Sequence, residues 1–327
     1  MQQQLAQEAN KIHVHVCASD DTWSRDTGPT FVWQYPRTSS RDDKCDAPER
    51  KLIGLDWNFN AYGGPEEGCY WPCTNDQQIA RKICEPTEPI AVSLNIRGSI
   101  HSDGEGTLLT TKECLLNPNR NPHLKQEEIE SVLKKALGVE KVLWLPTGLD
   151  ADEDTNGHVD NFCCFVAPAH VVLAWTDDEE QDPENYIRCR EAFSSLQQTT
   201  DSKGRKIQVT KLYLPSPPLR YTEEEAMSLA IPVDDTDATA TKESDYIMIR
   251  YPNEKMAASY VNFYIANQAV LVPQFGEECE QSDAQALATL RQVFECTGRS
   301  VVGIPSREIL LGGGNIHCQT QQVPLAK

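Results

Sequence analysis

Asn156-Gly-His-Val-Asp-Asn-Phe-Cys-Cys-Phe-Val-Ala-Pro-Ala-His-Val-Val-Leu-Ala-Trp175 decides how this chain is read. The polar motif His158-Val-Asp160 runs straight into an apolar stretch, 162–166. A Pro-Ala-His turn follows, then a second apolar stretch, 171–175. Two such runs joined by turn residues predict a β-hairpin.

The same unit recurs on either side. Asp26-Thr-Gly-Pro29 precedes Thr30-Phe-Val-Trp33 and, after a polar insert, Lys51-Leu-Ile-Gly-Leu-Asp-Trp57. Gly98-Ser-Ile-His-Ser-Asp103 precedes Thr107-Leu-Leu-Thr110 and Glu113-Cys-Leu-Leu116, again expected as paired strands. Ser259-Tyr-Val-Asn262 precedes Phe263-Tyr-Ile-Ala266 and Ala269-Val-Leu-Val272, and Asn315-Ile-His-Cys318 closes the series. His101 and His158 lie 57 residues apart, Asn262 and Cys318 lie 56 apart, and the interval from His158 to Asn262 is 104. A repeat of roughly 55 residues is near the period of propellers and solenoids.

Helices are expected between the hairpins. Residues 126–137 place Ile129, Val132, Leu133, Ala136 and Leu137 on one face and stop at Gly138. Residues 282–294 open on Ser282 as a cap and end before Gly298. Each unit reads as hairpin plus helix. Units ringed about an axis would turn every polar motif toward one centre. Two polar inserts, 37–48 and 215–254, are expected as surface loops, the second a mobile one.

The bulk numbers narrow the class. The chain has 327 residues, 39% of them hydrophobic, and a formal net charge of -19. Such an acidic surface repels nucleic acid and anionic membrane and favours small cations. No apolar run approaches the ~20 residues of a membrane span. The first ten residues lack the basic and apolar regions of a signal peptide. Twelve cysteines, two of them adjacent at Cys163 and Cys164, read as buried reduced thiols. Cys114 is expected on a strand and Cys189 on a helix. A cytoplasmic location is expected.

Two motifs carry the chemistry. Gly312-Gly-Gly-Asn-Ile-His-Cys318 presents a cysteine on a glycine-rich turn. His158 can serve such a thiol as acid and base. Its neighbours Asp152, Glu153, Asp154 and Asp160 are expected to raise its pKa and so favour a thiolate nearby. Asp26, in Trp23-Ser-Arg-Asp-Thr-Gly-Pro29, and Asp160 suit paired hydrogen bonds to a planar cation, with guanidinium the obvious one. Asp103 reads as the aspartate of an Asp-Gly turn. His158, Asp160, His317 and Cys318 are possible zinc ligands, but the spacing matches no zinc motif, and Cys69-x3-Cys73 has no second pair. No Gly-x-Ser-x-Gly elbow, Rossmann fingerprint or P-loop is present.

At these residues the chain resembles the Porphyromonas-type peptidylarginine deiminase family, and within it the agmatine deiminases. The resemblance runs through Trp23-Ser-Arg-Asp-Thr-Gly-Pro29, Asp56-Trp-Asn-Phe-Asn-Ala-Tyr-Gly-Gly64, Gly98-Ser-Ile-His101, Asn117-Pro-Asn-Arg-Asn-Pro122, Asp152-Glu-Asp-Thr-Asn-Gly-His-Val-Asp-Asn161, Ser259-Tyr-Val-Asn-Phe-Tyr264 and the Cys318 motif. It implies an α/β fold, a five-fold pseudo-symmetric β/α propeller (pentein), with residues 1–327 as one catalytic domain. It implies Cys318 as nucleophile, His158 as acid and base, and Asp26 and Asp160 as holders of the guanidinium. Trp23 would wall the pocket and Asp154 would lie near the substrate's far end. The reaction implied is hydrolysis of agmatine to N-carbamoylputrescine and ammonia, in putrescine synthesis. No metal or organic cofactor is implied, and a homodimer is.

Two departures stand out. Family members read Glu-Gly-Gly-Ser-Ile-His where this chain has Ile96-Arg97-Gly98-Ser99-Ile100-His101. Ile96 cannot accept the hydrogen bond that a glutamate there would take, and Arg97 is expected to crowd the centre or repel a cation. On that reading Ile96→Glu with Arg97→Gly would raise turnover. The family's further N-terminal segment is also expected to be missing, leaving one unit incomplete. The alternatives left open are another guanidine-modifying enzyme of the same fold and a non-catalytic homologue that binds cationic amines.

Overall fold

Four times the chain lays down two antiparallel strands, a helix, and a third strand parallel to the second. The computed structural model describes residues 12, 14–35, 50–85, 87–232 and 246–325. In the first unit β1 (Thr30–Gln34) pairs with β2 (Lys51–Trp57), a helix spans Asp76–Cys84, and β3 (Ile90–Val92) lies parallel to β2. The second has β4 (His101–Ser102), β5 (Thr107–Thr111), the helix Gln126–Leu137 and β6 (Lys141–Leu145). The third has β7 (Cys163–Ala167), β8 (His170–Trp175), the helix Pro183–Gln197 and β9 (Gln208–Tyr213). A small antiparallel pair, β10 (Ile231–Pro232) and β11 (Tyr246–Ile247), comes next. The fourth unit has β12 (Tyr264–Ile265), β13 (Ala269–Gln274), the helix Glu280–Phe294 and β14 (Ser300–Pro305). A parallel neighbour needs a long crossover, and the helix supplies it each time.

Middle strands are covered on both faces, so they read as unbroken apolar runs. On β8, Val171, Val172, Leu173 and Ala174 are all fully buried. The helix Gln126–Leu137 has the expected bounds, buries Ile129 and Leu133 one turn apart, and ends at Gly138 with φ 69°. Truncating either side chain to alanine would cost roughly 2–5 kcal/mol.

Three local expectations are revised. Glu113-Cys-Leu-Leu116 is no strand: Lys112–Leu115, which includes Cys114, is a helix whose first turn is capped by Thr111 accepting from Cys114 N at 3.2 Å. Strand β4 is the true partner of β5. A short apolar run fits either state, and the Thr cap decides it. Ser282 sits inside the helix Glu280–Phe294, not at its cap, and its hydroxyl accepts from Ser216 N at 3.3 Å.

The insert at 37–48 lies outside the described residues, as do 233–245 of the second insert. The rest of 215–254 includes the helix Glu223–Ser228 and buries Leu219, Tyr221 and Ala226 in the largest core cluster. Among the described residues no helix is long and apolar enough to cross a membrane.

Polar motifs converge where units meet. Phe165 N on β7 donates to His101 Nδ1 on β4 at 3.2 Å. The His101 ring stacks on His317 with centroids 5.7 Å apart. In the fourth unit Asp283 anchors the Ser259–Asn262 motif by accepting from the Tyr260 hydroxyl at 2.7 Å and from Phe275 N at 3.0 Å.

Candidate active site

Cys318 lies at the floor of a cavity of about 480 Å³ that Trp23, Asp26, Tyr62, Asp154, His158 and Gly312–Gly314 also line. The glycines have a steric cause. A side-chain carbon on Gly312 or Gly314 would come within 2.9 Å of the Trp23 indole, so the loop and the ring lie flush. Trp23 is buried and packs with Cys318, Phe59 and Tyr62.

Asn262 fixes the thiol. Its Oδ1 accepts from His317 N at 2.9 Å and Cys318 N at 3.3 Å. Its Nδ2 donates to Asn161 Oδ1 at 2.8 Å and to Cys318 Sγ at 3.1 Å. One amide thereby ties the nucleophile's loop to the His158-x-Asp160 motif. That motif is braced by Asp152, whose Oδ2 accepts from His158 N and from Asn161 Nδ2, both at 3.0 Å. Asp160 Oδ2 lies 2.6 Å from His317 Nδ1 and 3.5 Å from Cys318 Sγ.

Asp26 stands on the short helix Ser24–Thr27, with Oδ1 3.9 Å from His158 Nδ1. Gly98 closes in on both. Its φ is 73°, and an added side-chain carbon would fall 2.2 Å from Asp26 Oδ1 and 2.4 Å from His158 Cε1. Only glycine fits between the acid and the imidazole.

Burial governs the electrostatics. It drives the Cys318 thiol well above its ordinary pKa, with Asp160 and Asp26 adding to the effect. His158 is pushed down to about 3 by burial and by the positive charge of Arg120. This reverses the expected rise: Asp152 faces the His158 backbone rather than its ring, and desolvation outweighs the acids. Asp26 is raised to about 8 by burial and then by Asp160. Asp160 is also opposed by burial, yet His317's hydrogen bond and charge hold it at about 2. The site therefore keeps a neutral thiol, a neutral imidazole, one ionised carboxylate and one protonated carboxyl near neutral pH. Asp26 Oδ1, Asp160 Oδ1 and His158 Nε2 are all buried without a hydrogen-bond partner. Two buried acid oxygens and a ring nitrogen, with the thiol in the same cavity lining, are the acceptors that a flat, nitrogen-rich cation would satisfy. Among the described residues, no group of three His, Cys, Asp or Glu side chains is arranged to hold a metal ion.

The sequence profile of the Porphyromonas-type peptidyl-arginine deiminase family matches residues 1–324. The chain belongs to that family. It is 48% identical to an agmatine deiminase of Medicago truncatula over 318 residues, covering 95% of this chain and 79% of that protein. It is 48% identical to an agmatine deiminase of Pseudomonas aeruginosa over 320 residues, covering 96% of this chain and 77% of that protein. Among solved structures, the agmatine deiminase of Enterococcus faecalis superposes with a TM-score of 0.76 at 35% identity, over 99% of this chain and 81% of that one. These deiminases share the α/β architecture described above.

Within this deiminase chain, Cys318, His158, Asp160, Asp26 and Trp23 come together, and Asp154 lines the same cavity. Arg97 does not crowd the centre. Its guanidinium points away, donating to Asp26 O at 2.9 Å, Thr27 O at 2.6 Å and Asp56 Oδ1 at 2.7 Å, and also to the Trp57 carbonyl. It thereby caps the free carbonyls of the helix that carries Asp26. Ile96 is buried in an apolar cluster with Leu94, Leu108 and Leu55. Asp103 is the turn residue expected, accepting from Glu105 N at 2.7 Å and Thr107 N at 2.8 Å. Site residues not singled out from sequence are Asn262, Tyr62 and Arg250; Asp152, expected to act on the His158 ring, holds its backbone instead. Asn262 left one trace, its place in the roughly 55-residue series.

Proposed function

We propose that this chain hydrolyses agmatine to N-carbamoylputrescine and ammonia through a covalent bond to Cys318. The observation that carries the reading is the set of orphaned buried atoms, Asp26 Oδ1, Asp160 Oδ1 and His158 Nε2, around a buried thiol. A guanidinium seated against Asp26 and Asp160 satisfies both oxygens and brings a positive charge beside the sulfur. That charge draws Asp26 into its ionised form and favours the thiolate. The Cys318 sulfur attacks the central carbon, forming a C–S bond and a tetrahedral adduct. One terminal C–N bond breaks, and ammonia leaves with a proton delivered through His158. Water, deprotonated by the same imidazole, then adds to the amidino-thioether carbon, and the C–S bond breaks to release the ureido product. Asn262 steadies the sulfur through the cycle.

Relatives at 48% identity named agmatine deiminase support agmatine as the substrate. The acids Asp21, Asp154 and Glu308 around the cavity favour its ammonium tail. The test is incubation with agmatine while ammonia and the ureido amine are both measured. One-to-one release of the two is expected; binding without ammonia would leave only the amine-binding alternative.

We also infer that the four repeated units belong to a five-fold propeller ring, whose axis would explain why motifs roughly 55 residues apart meet. A reducing, cytoplasmic setting fits the eleven described cysteines, all of them free thiols. A homodimer and indifference to nucleic acid belong to the same proposal.

The protonated state of Asp26 has a measurable cost. The folded protein holds this proton up to about pH 8, whereas the unfolded chain releases it near 3.8, the ordinary aspartate value. Across that window the folded state binds more protons, so Asp26 lowers stability as pH rises. Asp26→Asn is expected to melt above the parent protein, with a gap that widens between about pH 5 and about pH 9, while ammonia release is lost. A gap that does not change with pH would refute the assignment.

A further inference from the structure

The wall of the cavity holds an ion pair that the reaction does not use. Asp154, on the loop before His158, pairs with Arg250. Arg250 Nε donates to the Tyr221 hydroxyl at 3.1 Å, and that hydroxyl donates to Leu311 O at 3.3 Å. The pair rests on Gly313, where an added side-chain carbon would come within 2.8 Å of Asp154 Oδ2 and 3.6 Å of Arg250 Nη2. Gly313 belongs to the loop that ends at Cys318, so the pair sits on the nucleophile's own loop. Among the described residues lining the cavity, Arg250 is the one permanent cation, set against Asp21, Asp26, Asp154 and Glu308.

Arg250 thus places a guanidinium, the same group the site is built to bind, on a carboxylate in the cavity wall. We propose that Arg250 is a specificity-determining residue: a built-in competitor that occupies Asp154 and that the cationic tail of a guanidino substrate must displace. The assignment rests on the deiminase reading above. A substrate with a neutral tail leaves the pair intact and gains nothing from Asp154. A substrate with an ammonium tail exchanges one ion pair for another, so its tail charge adds less affinity than a free carboxylate would give. The brace from Tyr221 sets how readily Arg250 swings clear.

Binding separates this from a purely structural role. Agmatine and n-butylguanidine, which share the head group and differ in tail charge, are titrated calorimetrically into the full chain carrying Cys318→Ser, so that no turnover intervenes. Adding Arg250→Gln is expected to tighten agmatine about two- to fivefold, the scale of one partly exposed ion pair, and to leave n-butylguanidine unchanged. Arg250→Lys, which keeps the charge, is expected to hold the parent ratio, and Asp154→Asn to bring the two ligands together. Weaker agmatine binding in Arg250→Gln, or equal shifts for both ligands, would overturn the proposal. If both guanidines bind and the ratio does not move, the Arg250 assignment alone falls. If neither binds to any variant, the deiminase reading falls and takes this assignment with it.

Discussion

Cys318→Ala is expected to release no ammonia from agmatine above background, a loss on the order of 10⁴-fold or more, as for removal of other catalytic nucleophiles. No neighbour can replace the sulfur. Cys69, the other described cysteine lining the cavity, is exposed as a residue, yet the cover over its sulfur and then the charge of Asp154 push its thiol up to about 12, and its Sγ lies against the Asp154 carbonyl at 3.7 Å. A thiol so rarely ionised is a poor nucleophile. The variant keeps Asp26, Asp160 and His158, so agmatine binding is expected to survive while chemistry stops. Acid-quenched parent enzyme should show a mass increase on the peptide containing Cys318, and the alanine variant should show none. Turnover by the variant within tenfold of the parent would mean that the sulfur is not the attacking atom.

Arg97→Gly is expected to give the largest loss of stability, about 3–5 kcal/mol, because it strips the partner from a buried charge network. Arg97 is 4% exposed and bridges Asp56 to the carbonyls of Asp26, Thr27 and Trp57. Its ring of donors also lies over Phe59, 5.4 Å from the centroid. Glycine would leave those carbonyls and the Asp56 carboxylate without donors. Restoring the family's glycine here is therefore expected to unfold the segment carrying Asp26 rather than free the site. Denaturant unfolding measures it directly: a midpoint unchanged from the parent would show that Arg97 merely rests on the surface of that segment. Ile96 is a separate matter, since its side chain lies in the core and a glutamate there alone would bury a charge among Leu94, Leu108 and Leu55.

Much of the site was legible because its residues announce themselves in short polar motifs. His158-x-Asp160, Asp26 before Gly28-Pro29, and Cys318 after three glycines each break an apolar pattern at the start or end of a unit. The hairpin-plus-helix part of the repeat was legible for the same reason, since central strands such as β8 are unbroken apolar runs and hairpins follow from turn chemistry, whereas the third strand of each unit, parallel to the second, was not read. What escaped depends on direction and burial. The charge of Arg97 pointed to conflict with a cation, but the side chain is buried against the Asp26, Thr27 and Trp57 carbonyls and Asp56. The acids near His158 predicted a raised pKa, yet counting neighbours along the chain says nothing about desolvation. Arg250 lies in a stretch whose Pro, Asp, Thr and Glu content reads as loop, so nothing local marks it as a wall of the cavity. Asn262 was visible only as a beat in a rhythm, because an amide has no charge to betray its role.

The tie between Asn262 and Cys318 bears on how the protein comes into being. On a ribosome the acids and the imidazole emerge long before the sulfur, which is the last of them in chain order. Until the Gly312–Cys318 loop packs against the Trp23 indole and meets the Asn262 amide, Asp26, His158 and Asp160 have no sulfur beside them.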